Sequence, residues 1–178
     1  MSLDLNLEDR RVDIVKEGFD LAIRGTDRLE DSSLVARKLM TLDHVLCGAP
    51  SYFRRVGMPA SPEAVRGMER VQFTLSGHAD EWVFTRAGQT QRVPVQGRYK
   101  VSSSLAVRDA LRAGFGVSLV PRVYVQDDLD QGALQAVLAD WLPVETYVYA
   151  VYPSRRHMVA KVRAFVDFLV EELGARQP

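Results

Sequence analysis

Ser102, Ser103 and Ser104 are the residues best suited to hold a small polar molecule. They form a run of hydroxyls directly ahead of a helix-forming stretch, Leu105 to Ala113. The first backbone N–H groups of a helix lack intrahelical partners and sit at the positive end of its dipole. Anions and polar groups are held there. One hydroxyl is called for as the helix cap, and three in a row leave others for a ligand at Ser103 or Ser104. Capping alone satisfies the same pattern. Arg98, Lys100 and Ser102 alternate with Tyr99 and Val101 as in a strand. The serines therefore fall at a strand's carboxyl end, where open α/β sheets take their ligands.

Other chemistry finds little footing. The histidines are His44, His78 and His157, and no serine lies in the G-x-S-x-G turn that exposes a nucleophile. They read as surface or loop histidines. Far apart in sequence, with a single cysteine beside them, they offer no metal-ligand pattern. Asp127-Asp128-Leu129-Asp130 lacks the spacing of a calcium loop and reads as a solvated helix end. Gly114-Phe115-Gly116 follows a helix and precedes a strand, the reverse of the dinucleotide-binding order. Gly114 reads instead as a left-handed helix stop, and Gly116 as a point of close packing. Cys47 lies among Val45, Leu46 and Ala49, which raise a thiol pKa rather than activate it. No catalytic residue, metal or cofactor is expected.

The elements that must position the serines follow from periodicity. Leu3, Leu5 and Leu7 alternate with Asp4, Asn6 and Glu8, which predicts a half-buried strand at the very start. A short helix over Val12 to Glu17, stopped by Gly18, leads to a strand over Phe19 to Arg24. A polar loop holds Asp31, Ser32 and Ser33. Strands are predicted at Leu34–Leu39, His44–Ala49, Val71–Leu75, Glu81–Arg86, Gln91–Val101, Leu134–Leu138 and Thr146–Tyr152. Short helices are predicted at Tyr52–Val56, from Ser61 to Met68, and over Val123–Leu129. Val162, Phe165, Val166, Leu169 and Leu173 mark one face of a final helix. Strands alternating with helices argue an α/β fold with a mixed sheet.

The chain has 178 residues, and Lys plus Arg equals Asp plus Glu at 23 each. That balance speaks against nucleic-acid binding by this chain itself, which needs a cationic surplus. An apolar content of 47% supports a folded core. One cysteine rules out an intrachain disulfide and favours the cytoplasm. No apolar run approaches the ~20 residues that span a bilayer, and the acidic start is unlike a signal peptide.

Four stretches together resemble the effector-binding domain of LysR-type transcriptional regulators. They are Asp9 to Arg24; Leu34 to Leu39 with Ala49 to Tyr52; Ala110 to Pro121; and Val151 to His157 with Val162 to Phe168. The resemblance spans nearly the whole chain in the family's order. It implies a type II periplasmic-binding-protein-like fold, with two α/β lobes joined by crossover strands at Leu39–Ala49 and Tyr147–Pro153. Lobe I would comprise residues 1–42 and 150–178, and lobe II residues 43–149. An inducer would sit in the cleft between them, met by Ser102, Ser103 and Ser104 from one lobe and Arg24, Gly25 and Thr26 from the other. Cys47, Ala49 and Val120 would be apolar lining. A carboxylate is the expected effector, because a serine-rich helix start and Arg24 both suit an anion.

The resemblance also implies a homodimer, and contact with operator DNA only through an N-terminal domain absent from this chain. The family's first strand and helix of lobe I are expected to be missing, which would leave the cleft incomplete. A stand-alone solute-binding protein of the same fold is the alternative, and an enzyme on this fold a more distant one.

Overall fold

The computed structural model describes residues 2–26, 34–143, 145–153 and 160–174. The expected loop at Asp31, Ser32 and Ser33, and His157 with Ser154 to Arg156, lie outside them. The chain divides into two compact units, Met1–Leu42 with Thr146–Pro178 and Asp43–Glu145.

The first unit is built on an antiparallel sheet of β1 (Ala22–Thr26), β11 (Thr146–Pro153) and β2 (Leu34–Leu42), with β11 in the middle. Val148, Ala150 and Tyr152 alternate along β11, as the two-residue strand period requires, and meet α4 (Ala160–Gly174). Val162, Val166, Leu169 and Leu173 of α4 complete that core at helical spacing, joined by Leu39.

The N-terminal expectations need correction. Ser2 to Glu8 forms no strand, and Leu3, Leu5 and Leu7 are 59%, 67% and 83% exposed. Alternation tells which residues would face a sheet, but partner strands decide whether the sheet forms. The predicted helix over Val12 to Glu17 is a hydrogen-bonded turn, with Glu17 N–H on the Asp13 carbonyl and Phe19 N–H on that of Ile14. The strand after it starts at Ala22, not Phe19.

In the second unit, β3 (His44–Gly48) lies between β8 (Val117–Pro121) and β9 (Gln135–Val137), antiparallel to both. β4 (Val71–Phe73) and β7 (Tyr99–Val101) pair in parallel. An isolated bridge from Arg70 to Val117 ties this pair to β8. The hairpin of β5 (Glu81–Arg86) and β6 (Gln89–Pro94) carries the short β10 (Leu142–Pro143) on its β5 side. The single strand expected over Gln91 to Val101 is thus two strands with different partners. Pro94 has no N–H to offer a ladder, and the chain leaves the hairpin there.

Two cores flank β3. Val45, Cys47 and Ala49 share one with Val107 and Leu111 of α2 (Ser104–Arg112); Leu46 shares the other with Trp82, Phe84 and Trp141. α1 (Pro50–Val56) supplies Tyr52 and Phe53 to the latter. The helix expected over Val123 to Leu129 is a 3-10 turn, Arg122–Tyr124, followed by the separate α3 (Gln126–Asp130).

Candidate functional site

α2 forms because its apolar residues fall on one face, where Val107 and Leu111 are buried. Its end is set by glycine: Gly114 has φ +72°, donates to the Leu111 carbonyl at 2.9 Å, and lets Phe115 N–H reach the Ala110 carbonyl at 3.1 Å. This paired closure is the Schellman arrangement. Gly116 serves a different need. A Cβ there would lie 2.3 Å from the Glu69 carbonyl oxygen, so only glycine lets the two backbones pass.

At the other end of α2, Ser103 is the N-cap by backbone geometry, and its carbonyl accepts the Val107 N–H at 3.1 Å. Its side chain makes no capping hydrogen bond. Ser102 is exposed, while Ser103 and Ser104 are half-buried. β7 ends immediately before them. Thr74, just past β4, donates both its N–H (2.9 Å) and its Oγ1 hydroxyl (3.3 Å) to the Val101 carbonyl. The carboxyl ends of the two parallel strands are thereby tied together.

The loop after β4 brings together two histidines that lie far apart in sequence. Ser76 Oγ accepts the His78 N–H at 3.0 Å, and the His78 ring meets His44 edge-on with centroids 5.7 Å apart. His78 is a loop histidine, one of the two settings expected, but a buried one. No local signal marks this pair, since 33 residues separate the two in sequence and only the return of β4 toward the start of β3 joins them. Among the described residues no cluster suits a metal ion.

The acidic run also departs from expectation. Asp128 is not solvated: its side chain is 3% exposed. Its Oδ2 accepts Arg108 Nε at 2.5 Å and its Oδ1 lies 3.4 Å from Arg112 Nη1. The Arg108 guanidinium is stabilised in its charged form chiefly by that hydrogen bond. Asp128 therefore clamps α3 to α2.

The remaining sequence-derived residues occupy different settings. Cys47 is 0% exposed in the middle of β3, between Ser118 and Ala136. Burial first, and the nearby Asp128 charge second, push its thiol up to about 12, against the weaker pull of Arg122. Ala49 and Val120 are buried in the same core as Cys47. All three side chains pack inside the second unit. In the first unit Arg24, Gly25 and Thr26 end β1, opposite Tyr149, Val148 and Tyr147 of β11. Arg24 Nη2 donates to the Val12 carbonyl at 2.5 Å, so its guanidinium helps hold the N-terminal turn.

Comparison with known proteins agrees with these elements. The family model described as the LysR substrate binding domain matches residues 1–174. The chain is 30% identical over 174 residues to a probable HTH-type transcriptional regulator, LtrA, of Klebsiella pneumoniae, covering 96% of this chain and 56% of that protein. It is 32% identical over 179 residues to the HTH-type transcriptional regulator PtxR of Pseudomonas aeruginosa, covering 100% and 56%. It thus spans little more than half the length of these relatives. The solved regulatory domain of CrgA from Neisseria meningitidis superimposes with a TM-score of 0.77 at 30% identity, covering 90% of this chain and 78% of that one. Full-length AphB of Vibrio cholerae gives 0.79 at 27% identity, covering 96% and 57%. Such regulatory domains have the type II periplasmic-binding-protein-like fold, the class anticipated from the sequence. With a family match over nearly its whole length, the chain belongs to the LysR substrate-binding domain family.

Proposed function

We propose that the chain is the effector-sensing part of a cytoplasmic LysR-type regulator, a homodimer that meets operator DNA through a domain outside this chain. The effector is a small carboxylate, held at Ser102, Ser103 and Ser104 of the second unit, with Arg24, Gly25 and Thr26 of the first as further candidate contacts. Its tighter binding to one arrangement of the regulator than to the other changes DNA binding. The observation that carries the reading is the Ser103 side chain, which makes no capping bond at the start of α2, at the carboxyl end of a parallel strand pair. A hydroxyl and first-turn N–H groups together suit a carboxylate.

The test is thermal shift and calorimetry with a panel of aliphatic and aromatic carboxylates and their neutral amides. A carboxylate is expected to raise the melting temperature, and the S103A/S104A double variant to lose that response. Binding of the amides alone, or an undiminished response in the double variant, refutes the reading. Sequencing the gene upstream of Met1 tests the regulator assignment separately: a helix-turn-helix domain is expected, and a secretory signal peptide would make the chain a solute-binding protein.

A further inference from the structure

The second unit carries a groove of about 400 Å3 between α3, β9 and the start of α1. That volume lies in the ~300–1,000 Å3 range of small-molecule sites. Its apolar wall comes from Leu129, Leu134, Ala136 and Pro50, and Leu134 belongs to the core beneath. Two opposite charges border it, Arg122 and Asp130.

Both are held from below. The Arg122 N–H donates to the Asp43 carbonyl at 2.7 Å, which fixes the base of its side chain just past β8. Among the described residues no ion pair engages its guanidinium. Asp130 Oδ1 accepts Gln126 Nε2 at 2.7 Å, and its other oxygen is unengaged among the described residues. β9 is an edge strand among the described residues, and one row of its backbone groups has no strand partner there.

A simple anion would meet Arg122 but be repelled by Asp130, and a simple cation the reverse. An uncharged apolar molecule would leave both charges partly desolvated and unpaired. We propose that this groove binds a small zwitterion with an apolar side chain, of the α-amino acid or dipeptide kind. Its carboxylate pairs with Arg122, its ammonium with Asp130, and its side chain covers Leu129, Ala136 and Pro50. A peptide bond in the ligand would add hydrogen bonds to the open edge of β9. The groove shares no residue with Ser102–Ser104, so its test is separate from that of the effector reading.

The 15N-labelled chain is titrated with L-leucine and with L-leucyl-L-leucine, following the amides from Gln126 to Val137. Isovalerate and 3-methylbutylamine serve as single-charge controls. Saturating shifts confined to the groove are expected by about 10 mM, where a ligand with Kd near 1 mM is mostly bound. Tighter binding of the dipeptide assigns the β9 edge as part of the site, and equal binding assigns the charge pair alone. R122Q and D130N change exposed side chains, and each is expected to weaken binding about tenfold, as loss of a charge-assisted contact worth about 1.4 kcal/mol does. No saturating shift with either zwitterion overturns the proposal. So does isovalerate binding as tightly as leucine, or an unchanged affinity in R122Q with its spectrum otherwise intact.

Discussion

The first unit gathers one core, Leu39, Ala150, Tyr152, Val162 and Val166 between a sheet and α4, whereas the second encloses β3 between two larger ones. Arg24 of the first unit uses its guanidinium on the carbonyl of Val12. Arg10 pairs with Glu8 and, at 2.7 Å, with Glu17; the hydrogen bond from Arg10, ahead of that from the Asp13 N–H, holds the Glu17 carboxyl below its ordinary range. In the second unit apolar packing already orders α2, so the Ser103 side chain is left without a structural bond. Polar side chains hold backbone in the second unit too, as Ser118 Oγ does on the Val71 carbonyl at 2.9 Å and Arg66 on that of Arg92, so Ser103 stands apart from its own unit as well as from Arg24.

The largest expected effect tests the core side of this contrast. Leu111 is 0% exposed beneath α2, and Leu111→Ala is expected to cost about 2–5 kcal/mol, a transfer term plus a cavity that the two-sided packing cannot refill. Val166→Ala on α4 removes two methyl groups from the thinner core and is expected to cost about 1.5 kcal/mol. Hydrogen exchange resolves the two, because each unit can report its own opening. Equal losses would mean that the first unit is as well packed as the second.

Next comes the clamp between α2 and α3. Arg108→Ala leaves the enclosed Asp128 carboxylate, among the described residues, with Arg112 alone, at 3.4 Å. The expected cost is about 2–3 kcal/mol, short of the ~3–5 kcal/mol for a fully orphaned buried charge. Asp128→Asn instead frees two arginines that can turn to water, and is expected to cost about 1 kcal/mol. Denaturant titration of both variants gives the ranking. The reverse order would mean that Asp128 is solvated in solution.

Cys47 gives a pH-dependent measure of the same enclosure. Its thiol loses a proton at its ordinary value of 9.0 when unfolded but only near 12 when folded. The unfolded state therefore releases its proton first as pH rises. Stability from this group is complete below pH 9 and is lost as pH climbs toward 12. At neutral pH, alkylation by iodoacetamide is expected only on opening of the second unit, and Leu111→Ala should accelerate it. Rapid labelling of the native chain would contradict the burial.

Much of this arrangement is legible in the residues. Strand-like apolar runs locate β2, β3, β5 and β11, the strand after Gly116 is β8, and Gly114 announces the end of α2 and Gly116 the close packing that proves to be against Glu69. What escapes is whatever depends on a distant partner. Leu3, Leu5 and Leu7 carry a strand's pattern without a sheet beside them. Asp128 looks like one of three solvated acids until the arginines 20 and 16 residues earlier fold over it. His44 and His78 come together only through the topology around β3 and β4. The serines are legible as a helix start, but the absence of a capping bond at Ser103 is a matter of side-chain geometry that no spacing encodes.

The smallest expected effect is therefore the most discriminating. Removing an engaged N-cap hydroxyl typically costs about 1 kcal/mol. Since the Ser103 side chain holds none of the first-turn N–H groups, Ser103→Ala is expected to change stability by less than about 0.5 kcal/mol, as at an ordinary surface position. The helix keeps its backbone closure through the Ser103 carbonyl, which the substitution does not touch. In the presence of a stabilising carboxylate the same variant should lose part of the ligand-induced rise in melting temperature, because linkage reports only contacts made in the bound state. A loss near 1 kcal/mol without ligand would show the hydroxyl capping in solution, and the contrast between Arg24, whose side chain holds backbone, and Ser103, whose side chain holds none, would fail.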